Sequence, residues 1–166
     1  MNYHNITKDD LRNGAGLRVV LWVSGCSHRC PNCQNPITWN PDDGIPFDED
    51  AAAELYGILN KPYISGITFS GGDPLFEGNR ETIYRIIKEI KYLYPEKTIW
   101  LYTGYTFDKV KDIVPIDILA HIDVIVDGPY IESLRDVQLK WRGSSNQRVI
   151  DVKESIAMDK IVLHCD

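Results

Sequence analysis

The sequence lacks the features that mark membrane-spanning, disulfide-rich and nucleic-acid-binding proteins. Its longest apolar run covers only residues 19–23, far short of the ~20 residues that cross a bilayer. Four cysteines in 166 residues are too few for a disulfide scaffold. Basic residues are also scarce, since 18 Lys and Arg face 24 Asp and Glu. The net charge of −6 argues against binding to nucleic acid or to an anionic membrane.

The first ten residues are polar and include adjacent aspartates, where a signal peptide would need an apolar stretch. We therefore expect a cytoplasmic protein. In a reducing compartment, clustered cysteines usually serve metal or redox chemistry and not structural crosslinking.

The composition is that of an ordinary globular chain, with 43% hydrophobic and 25% charged residues. Its length suits one domain over residues 1–166. Strand-like apolar runs alternate with segments of helical periodicity. The predicted strands cover residues 17–25, 64–70, 98–102, 122–126, 148–152 and 160–164, and the predicted helices cover about 48–59, 83–94 and 106–113.

This alternation predicts an α/β fold with right-handed crossovers. A closed eight-unit barrel takes ~250 residues. We therefore expect a single-domain, partial (open) β/α barrel of about five to six mostly parallel strands, with helices on the outside. Ligands bind at the carboxyl ends of the strands in such folds. The unusual residues follow the first four predicted strands and predict one site: Cys26, Cys30, Cys33, Gly71, Gly72, Asp73, Thr103, Gly104, Asp127 and Gly128.

The first of these groups is a C-x3-C-x2-C run formed by Cys26, Cys30 and Cys33. Short cysteine spacings of this kind bind iron–sulfur clusters, normally through four thiolates. Three ligands on a four-iron cluster would leave one iron open to a reacting ligand. Two alternatives remain: a structural zinc site with His28 or Cys165 as the fourth ligand, and a redox pair that leaves Cys26 unexplained. We expect Cys165 to be a small apolar residue without a chemical role.

Together with Gly-Gly-Asp-Pro at residues 71–74, the cysteine run resembles the radical S-adenosylmethionine superfamily. Within it, the stretches at 25–39, 69–75, 103–105, 126–131 and 139–148 resemble the activating proteins of anaerobic ribonucleoside-triphosphate reductases. The last stretch, LKWRGSSNQR, makes the resemblance specific. The resemblance covers nearly the whole chain.

The resemblance implies a radical enzyme, an oxidoreductase that activates a reductase. Cys26, Cys30 and Cys33 would bind a 4Fe-4S cluster, and S-adenosylmethionine would chelate its open iron. Reduced flavodoxin, or a similar donor, would supply an electron for reductive cleavage. The resulting 5′-deoxyadenosyl radical would generate a glycyl radical on the large subunit of the reductase. No nucleic acid or membrane is implied as a partner, and the cluster and cofactor carry the chemistry.

The resemblance also implies where the cofactor binds. Gly71 and Gly72 would let its amino group approach the backbone, with Asp73 as an acceptor. Many superfamily members carry Glu at the Asp73 position, so either the backbone or the shorter side chain could make this contact. Thr103 and Asp127 are assigned by position, at strand ends where other members hold the methionine carboxylate or ribose. The complete expected set is Asn32, Cys33, Gln34, Gly71, Gly72, Asp73, Thr103 and Asp127.

Three other functions remain open at this point. One is activation of another glycyl-radical enzyme, of the pyruvate formate-lyase type, and a second is radical chemistry on a small molecule. Such relatives tend to be longer, and a short chain should leave the rim open to a protein loop. The third is a zinc-binding module without catalysis. The segment 141–147 could be a solvated turn or a loop that faces the cofactor or the reductase.

Overall fold

The computed structural model describes residues 1–165 and, within them, joins all strands in one seven-stranded sheet. The strands are β1 (Asn2–Asp10), β2 (Arg18–Val23), β3 (Ile45–Pro46), β4 (Gly66–Gly71), β5 (Thr98–Tyr102), β6 (Val124–Asp127) and β7 (Arg148–Asp151). Their order in the sheet is β3-β1-β2-β4-β5-β6-β7. The central strands β2, β4, β5 and β6 are parallel, whereas β1, β3 and β7 pair antiparallel at the edges.

The expected α/β class and the open sheet with helices are therefore confirmed. The partial barrel of mostly parallel strands is confirmed only in part, since four of the seven strands are parallel, and the expected count of five to six strands is too low. Strand β1 was not predicted because its residues, NYHNITKDD, are mainly polar. This strand keeps most of its side chains partly exposed, so it lacks the apolar run of a central strand. The prediction of a strand at 160–164 was wrong. Within the described residues, that segment makes a single bridge to β7, between Leu163 and Ile150. Two hydrogen bonds accompany it, from the Asp151 amide to the Val162 carbonyl and from the His164 amide to the Val149 carbonyl.

The helices are α1 (Glu49–Leu59), α2 (Arg80–Leu93), α3 (Phe107–Ile113), α4 (Ile116–Leu119) and α5 (Val152–Met158). Asp48 caps α1, since its carboxylate accepts a hydrogen bond from the Ala51 amide at 2.9 Å. Helix α5 was not predicted; Asp151 caps it in the same way through the Glu154 amide. Within residues 1–165, none of the helices has both the length and the apolar character needed to cross a membrane.

The two faces of the sheet carry different cores. The face that includes Val19, Leu21 and Phe69 packs against the helices in the main hydrophobic cluster. Because successive side chains on a strand point to opposite faces, the alternate residues form a second cluster. That cluster contains Trp100, Val124 and Val126 and is covered by loop residues such as Trp141. The helices thus lie on one face, and loops enclose the other.

Arg18 closes the end of the sheet where the parallel strands begin. Its guanidinium is fully buried and donates to the Thr68 and Thr98 hydroxyls and to the Ile67 and Thr98 carbonyls, at 2.7–2.9 Å. It also lies over the Trp100 ring. Burial among these neutral acceptors lowers the pKa of Arg18 to about 10. Arg18 thus fills the end of the sheet where the parallel strands begin, and the candidate site lies at the opposite end.

Candidate functional site

The carboxyl ends of the central strands open into one cavity, called the first cavity below. All three clustered cysteines line it, together with the glycines that end β4 and residues that follow β5 and β6. Members of all four sequence-predicted groups, those that follow β2, β4, β5 and β6, therefore meet in space. The lining comprises Cys26, His28, Cys30, Cys33, Trp39, Ser70, Gly71, Gly72, Asp73, Tyr102, Thr103, Gly104, Val126, Gly128, Tyr130 and Gln147.

The loop that carries the cysteines is closed at its base by backbone hydrogen bonds. The Gly25 amide donates to the Thr38 carbonyl at 2.7 Å, and the Cys26 amide donates to the Trp39 carbonyl at 3.1 Å. A short 3-10 helix, Pro36–Thr38, turns the chain back toward β2. The loop is thus anchored at both ends.

The three thiols are free and partly buried, and backbone amides point at two of the sulfurs. The Asn35 amide donates to Cys33 Sγ at 3.4 Å. Burial raises the pKa of the Cys26 thiol, while hydrogen bonds from the His28 and Arg29 amides act in the opposite direction. Such amides stabilise the thiolate, which is the form that binds metal. Three thiols that share one cavity, with amide donors to two of them, fit a thiolate-bound cluster.

Asp73 is the most highly connected side chain in the first cavity. Its carboxylate accepts hydrogen bonds from His28 Nε2 at 2.7 Å, the Thr103 hydroxyl at 2.9 Å, the Gly104 amide at 3.0 Å and the Leu75 amide at 2.8 Å. Only 1% of the residue is exposed. The side chain that was expected to accept from the cofactor therefore binds protein donors, and it joins the cysteine loop to the ends of β4 and β5.

This role of His28 was not predicted, since the residue was expected only as an alternative zinc ligand. The ring packs edge-on against Tyr105, with centroids 4.5 Å apart, and its Nε2 atom is bonded to Asp73. A Cβ atom at Gly104 would lie 2.5 Å from His28 Cδ2, so only glycine leaves room for the ring. The available signals were a histidine inside the cysteine run and a glycine directly after Thr103.

Gly71 and Gly72 line the first cavity and also bring β4 against the base of the cysteine loop. Gly71 has a φ of +99°, and a Cβ atom there would meet Val23 N at 2.6 Å. At Gly72 a Cβ atom would meet the Gly25 carbonyl oxygen at 2.4 Å and that of Thr38 at 2.8 Å. Both positions therefore require glycine for this close approach, whatever else binds there.

Asp127 lies at the end of β6 but holds protein groups. Arg148 binds its carboxylate at two points, at 2.6 and 3.1 Å, and the Phe107 amide donates to it at 2.8 Å. This pairing raises the pKa of Arg148. Among the residues that the structure describes, the neighbours Val126 and Gly128 line the first cavity and Asp127 does not. Its carboxylate fixes the start of α3 to β7.

Asn32 and Gln34 are both exposed, on either side of Cys33. Asn32 adopts a left-handed backbone with a φ of +59°, a conformation that asparagine tolerates better than most residues. Gln34 contributes to a second, neighbouring cavity, whereas Asn32 contributes to neither cavity that the described residues form around the cysteines. Asn32 thus shapes the turn between Cys30 and Cys33.

The second cavity adjoins the first on the loop-covered face of the sheet. Both are lined by Cys33, Ser70, Tyr102, Tyr130 and Gln147. The other residues around the second cavity are Arg12, Asn13, Trp22, Gln34, Asn35, Arg135, Asp136, Val137, Leu139, Trp141, Arg142 and Gly143.

Part of the stretch 139–148 forms a wall of the second cavity and is not a solvated turn. The Trp141 ring packs edge-on against Trp100 at 4.8 Å, and the Tyr102 hydroxyl donates to the Trp141 carbonyl at 2.6 Å. Gln147 accepts from the Gly143 amide at 2.9 Å and donates to the Gly128 carbonyl at 3.1 Å. The conformation is thus fixed by contacts that the sequence pattern alone does not reveal.

The fourth cysteine, Cys165, is exposed, and its Sγ atom lies 4.0 Å from the carbonyl of Leu163. It is absent from both cavities as the described residues form them. Over residues 1–165, no three His, Cys, Asp or Glu side chains stand in an arrangement that could hold a metal ion. The fit to a cluster therefore rests on the shared cavity and on the amide donors described above.

Comparisons with known proteins agree with the chemistry of this site. A family model described as a 4Fe-4S single cluster domain matches residues 12–150. An anaerobic ribonucleoside-triphosphate reductase-activating protein of Enterobacteria phage T4 is 46% identical over 149 residues, which cover 90% of this chain and 93% of that protein. The protein of the same name from Escherichia coli (strain K12) is 41% identical over 151 residues, covering 90% and 97%. The one from Pasteurella multocida (strain Pm70) is 40% identical over 150 residues, covering 89% and 95%.

Proposed function

The chain belongs to the family of anaerobic ribonucleoside-triphosphate reductase-activating proteins, and we propose that it activates such a reductase as a radical S-adenosylmethionine enzyme. One observation carries the proposal: Cys26, Cys30 and Cys33 line a single cavity together with Gly71 and Gly72. The names of the relatives supply the proposed partner. The matched family supplies the type of cluster.

A 4Fe-4S cluster bound by the three thiolates, with S-adenosylmethionine on its open iron, would supply reductive cleavage of the sulfonium and a 5′-deoxyadenosyl radical that generates a glycyl radical on the reductase. The protein binds and orients these groups. The Asn35 amide donates to the Cys33 sulfur, and the His28 and Arg29 amides partly offset the rise in the Cys26 pKa that burial causes. Reduced flavodoxin, or a similar protein, is the proposed electron donor.

The cofactor-binding residues divide by position in the structure. Gly71, Gly72 and Cys33 border the first cavity directly and are proposed contacts. Thr103 also borders it, but its hydroxyl donates to Asp73. Since the Asp73 carboxylate is occupied by protein donors, we propose that its backbone lies nearer the cofactor than its side chain.

Three residues of the expected set lie outside the first cavity as residues 1–165 form it. Gln34 borders the second cavity and is a proposed contact for the part of the cofactor that extends into that cavity. We propose that Asn32 and Asp127 act as positioning residues. Asn32 sets the turn before Cys33, and Asp127 holds the chain next to Gly128.

A zinc-binding module is less consistent with this geometry. His28 uses its Nε2 atom for Asp73, and Cys165 is exposed outside the cavity that the other thiols line. A structural zinc site needs four protein ligands, so one would have to form by rearrangement. Activation of a different glycyl-radical enzyme is less favoured, because the three relatives reported above are named for anaerobic ribonucleoside-triphosphate reductase.

The test is electron paramagnetic resonance on the reductase. Iron-loaded protein, S-adenosylmethionine and reduced flavodoxin are incubated anaerobically with a reductase from the same source. We expect a glycyl radical on the reductase with the native chain and with Cys165→Ala, and none with Cys30→Ala. A native chain that binds iron and cleaves S-adenosylmethionine, yet leaves the reductase without a radical, would contradict the proposed partner.

A further inference from the structure

The surface next to the second cavity exposes apolar side chains. Every residue of the segment 131–138, named the 131–138 loop below, is exposed. Three of these residues are apolar: Ile131 is 38% exposed, Leu134 is 41% exposed and Val137 is 81% exposed. Single exposed apolar residues are common, but three within seven positions of one loop form a local apolar surface.

This loop is held in place by backbone hydrogen bonds. The Ser145 amide donates to the Leu134 carbonyl at 2.9 Å, and the Asp136 amide donates to the Gly143 carbonyl at 3.3 Å. A bridge between Arg135 and Ser144 lies between them. The apolar side chains are therefore presented on a fixed backbone, which lowers the entropy lost when a partner binds.

The 131–138 loop borders the route toward the cysteines. Arg135, Asp136 and Val137 line the second cavity, and so does Cys33, which also lines the first. The two cavities thus adjoin at Cys33. A group that approaches the cysteines through the second cavity passes along this loop.

The same cavity is basic, although the chain as a whole carries a net charge of −6. Arg12, Arg135 and Arg142 line it, against the single carboxylate of Asp136. Arg142 donates to the Ser145 and Gln147 carbonyls, which are neutral, so its charge is not cancelled there. A cluster of arginines beside apolar side chains suits an acidic protein surface with apolar anchors.

We propose that the 131–138 loop, with Arg12 and Arg142 across the second cavity, is the docking surface for the reductase. The partner segment is an acidic polypeptide stretch that buries Leu134 and Val137 and leads the acceptor glycine toward the first cavity. This inference rests on the proposed function, because only a polypeptide substrate needs a protein surface beside the cysteines. It adds where that substrate binds and which chemistry recognises it.

The test measures binding of the iron-loaded chain to the reductase by calorimetry under anaerobic conditions. We expect Leu134→Glu with Val137→Glu to weaken binding about tenfold or more, as truncation of buried interface anchors does. Ile116→Glu is the matched control. Ile116 is 65% exposed but lies on α4, among the helices that cover the opposite face of the sheet, so its substitution should leave binding unchanged.

A second variant tests the positive charge of the docking surface at an exposed residue, where a substitution should not disturb folding. Arg135→Glu should weaken binding and reduce its dependence on salt concentration, because the removed charge attracts an acidic partner. If Leu134→Glu lowers the melting temperature, Val137→Glu alone decides, since Val137 is 81% exposed. Native-like binding by Val137→Glu and Arg135→Glu would overturn the proposal. If these variants lost self-association but still bound the reductase, the proposal would also be overturned, in favour of an interface between copies of this chain.

A separate measurement distinguishes failure of this proposal from failure of the proposed function. Formation of 5′-deoxyadenosine with dithionite and without reductase should be the same for Val137→Glu as for the native chain. If the native chain forms none, the proposed function fails. If the native chain forms it and the variants still bind the reductase normally, only the docking surface is wrong.

Discussion

His28 Nε2 lies 2.7 Å from Asp73 Oδ2, and this contact joins the middle of the cysteine loop to the turn after β4. The same carboxylate oxygen accepts from the Thr103 hydroxyl and the Gly104 amide. One buried carboxylate thereby holds the chain after three central strands in a fixed relation. We infer that this arrangement keeps the cysteines facing the first cavity before any cluster is bound.

Replacing His28 by phenylalanine tests this role while keeping an aromatic ring against Tyr105. We expect the metal-free chain to lose about 1–3 kcal/mol of unfolding free energy, because the buried Asp73 carboxylate loses a donor. Iron loading should fall as well. Chemical denaturation and iron analysis measure the two effects, and native values for both would show that the contact has no positioning role.

Gly104→Ala should also separate His28 from Asp73, in this case by a steric clash and not by loss of a hydrogen-bond donor. The added Cβ atom would lie 2.5 Å from His28 Cδ2, so the imidazole would have to move away from Asp73. We expect lower stability and weaker iron retention. Gly57→Ala is the control, because a Cβ atom at Gly57 meets nothing within 4 Å and should stabilise α1 by up to about 1 kcal/mol. Equal effects of the two substitutions would contradict the steric argument.

The four cysteines should separate into two groups. Alanine at Cys26, Cys30 or Cys33 should abolish binding of the iron–sulfur cluster, since each removes one of the three proposed ligands. Cys165→Ala should bind the cluster normally, because that thiol lies exposed outside the first cavity. Visible absorption after anaerobic reconstitution, together with iron and sulfide analysis, reads out each variant. A clear loss of iron in Cys165→Ala would show that the fourth thiol is a ligand.

Asp123 should account for part of the acid sensitivity of the fold. Burial acts to raise the pKa of this carboxyl, but hydrogen bonds from Lys153 and the Ile99 amide, with the charge of Lys91, hold it below its ordinary value. A depressed pKa adds stability above the unfolded-state value of about 3.9, and that stability is lost as the pH falls through the folded-state pKa.

Asp123→Asn should therefore lower the unfolding free energy at neutral pH by about 1–2 kcal/mol and make the loss of stability below about pH 4 less steep. Denaturation of the metal-free chain across this pH range provides the comparison. If the unfolding free energy of the variant fell with decreasing pH as steeply as that of the native chain, Asp123 would not account for the acid sensitivity.

The sequence predicts the parts of this protein that depend on local pattern. Apolar runs predict β2, β4, β5 and β6. Periodic isoleucines predict α2, where Ile83, Ile86, Ile87 and Ile90 are buried. The rule that ligands bind at strand ends predicted that residues after all four parallel strands would share one cavity, although Gly128 and not Asp127 lines it after β6. These features follow from short-range periodicity and from the geometry common to parallel sheets.

Long-range contacts explain what the sequence did not predict. The His28–Asp73 pair spans 45 residues, and Arg18 donates to acceptors up to 80 residues away. No local pattern marks such contacts. Strand β1 was not predicted because its residues are mainly polar; beyond Asn2 and Tyr3, which pair with β3, it pairs with β2 alone. Asp127 binds Arg148 because the antiparallel β7 lies beside β6.

The most direct test of the account is the product that the reconstituted chain forms from S-adenosylmethionine. The chain is loaded anaerobically with iron and sulfide, reduced with dithionite and assayed for 5′-deoxyadenosine, with Cys33→Ala in parallel. We expect about four iron and four sulfide ions per native chain and 5′-deoxyadenosine from the native chain only. A colourless protein that holds one zinc ion and forms no 5′-deoxyadenosine would contradict the account.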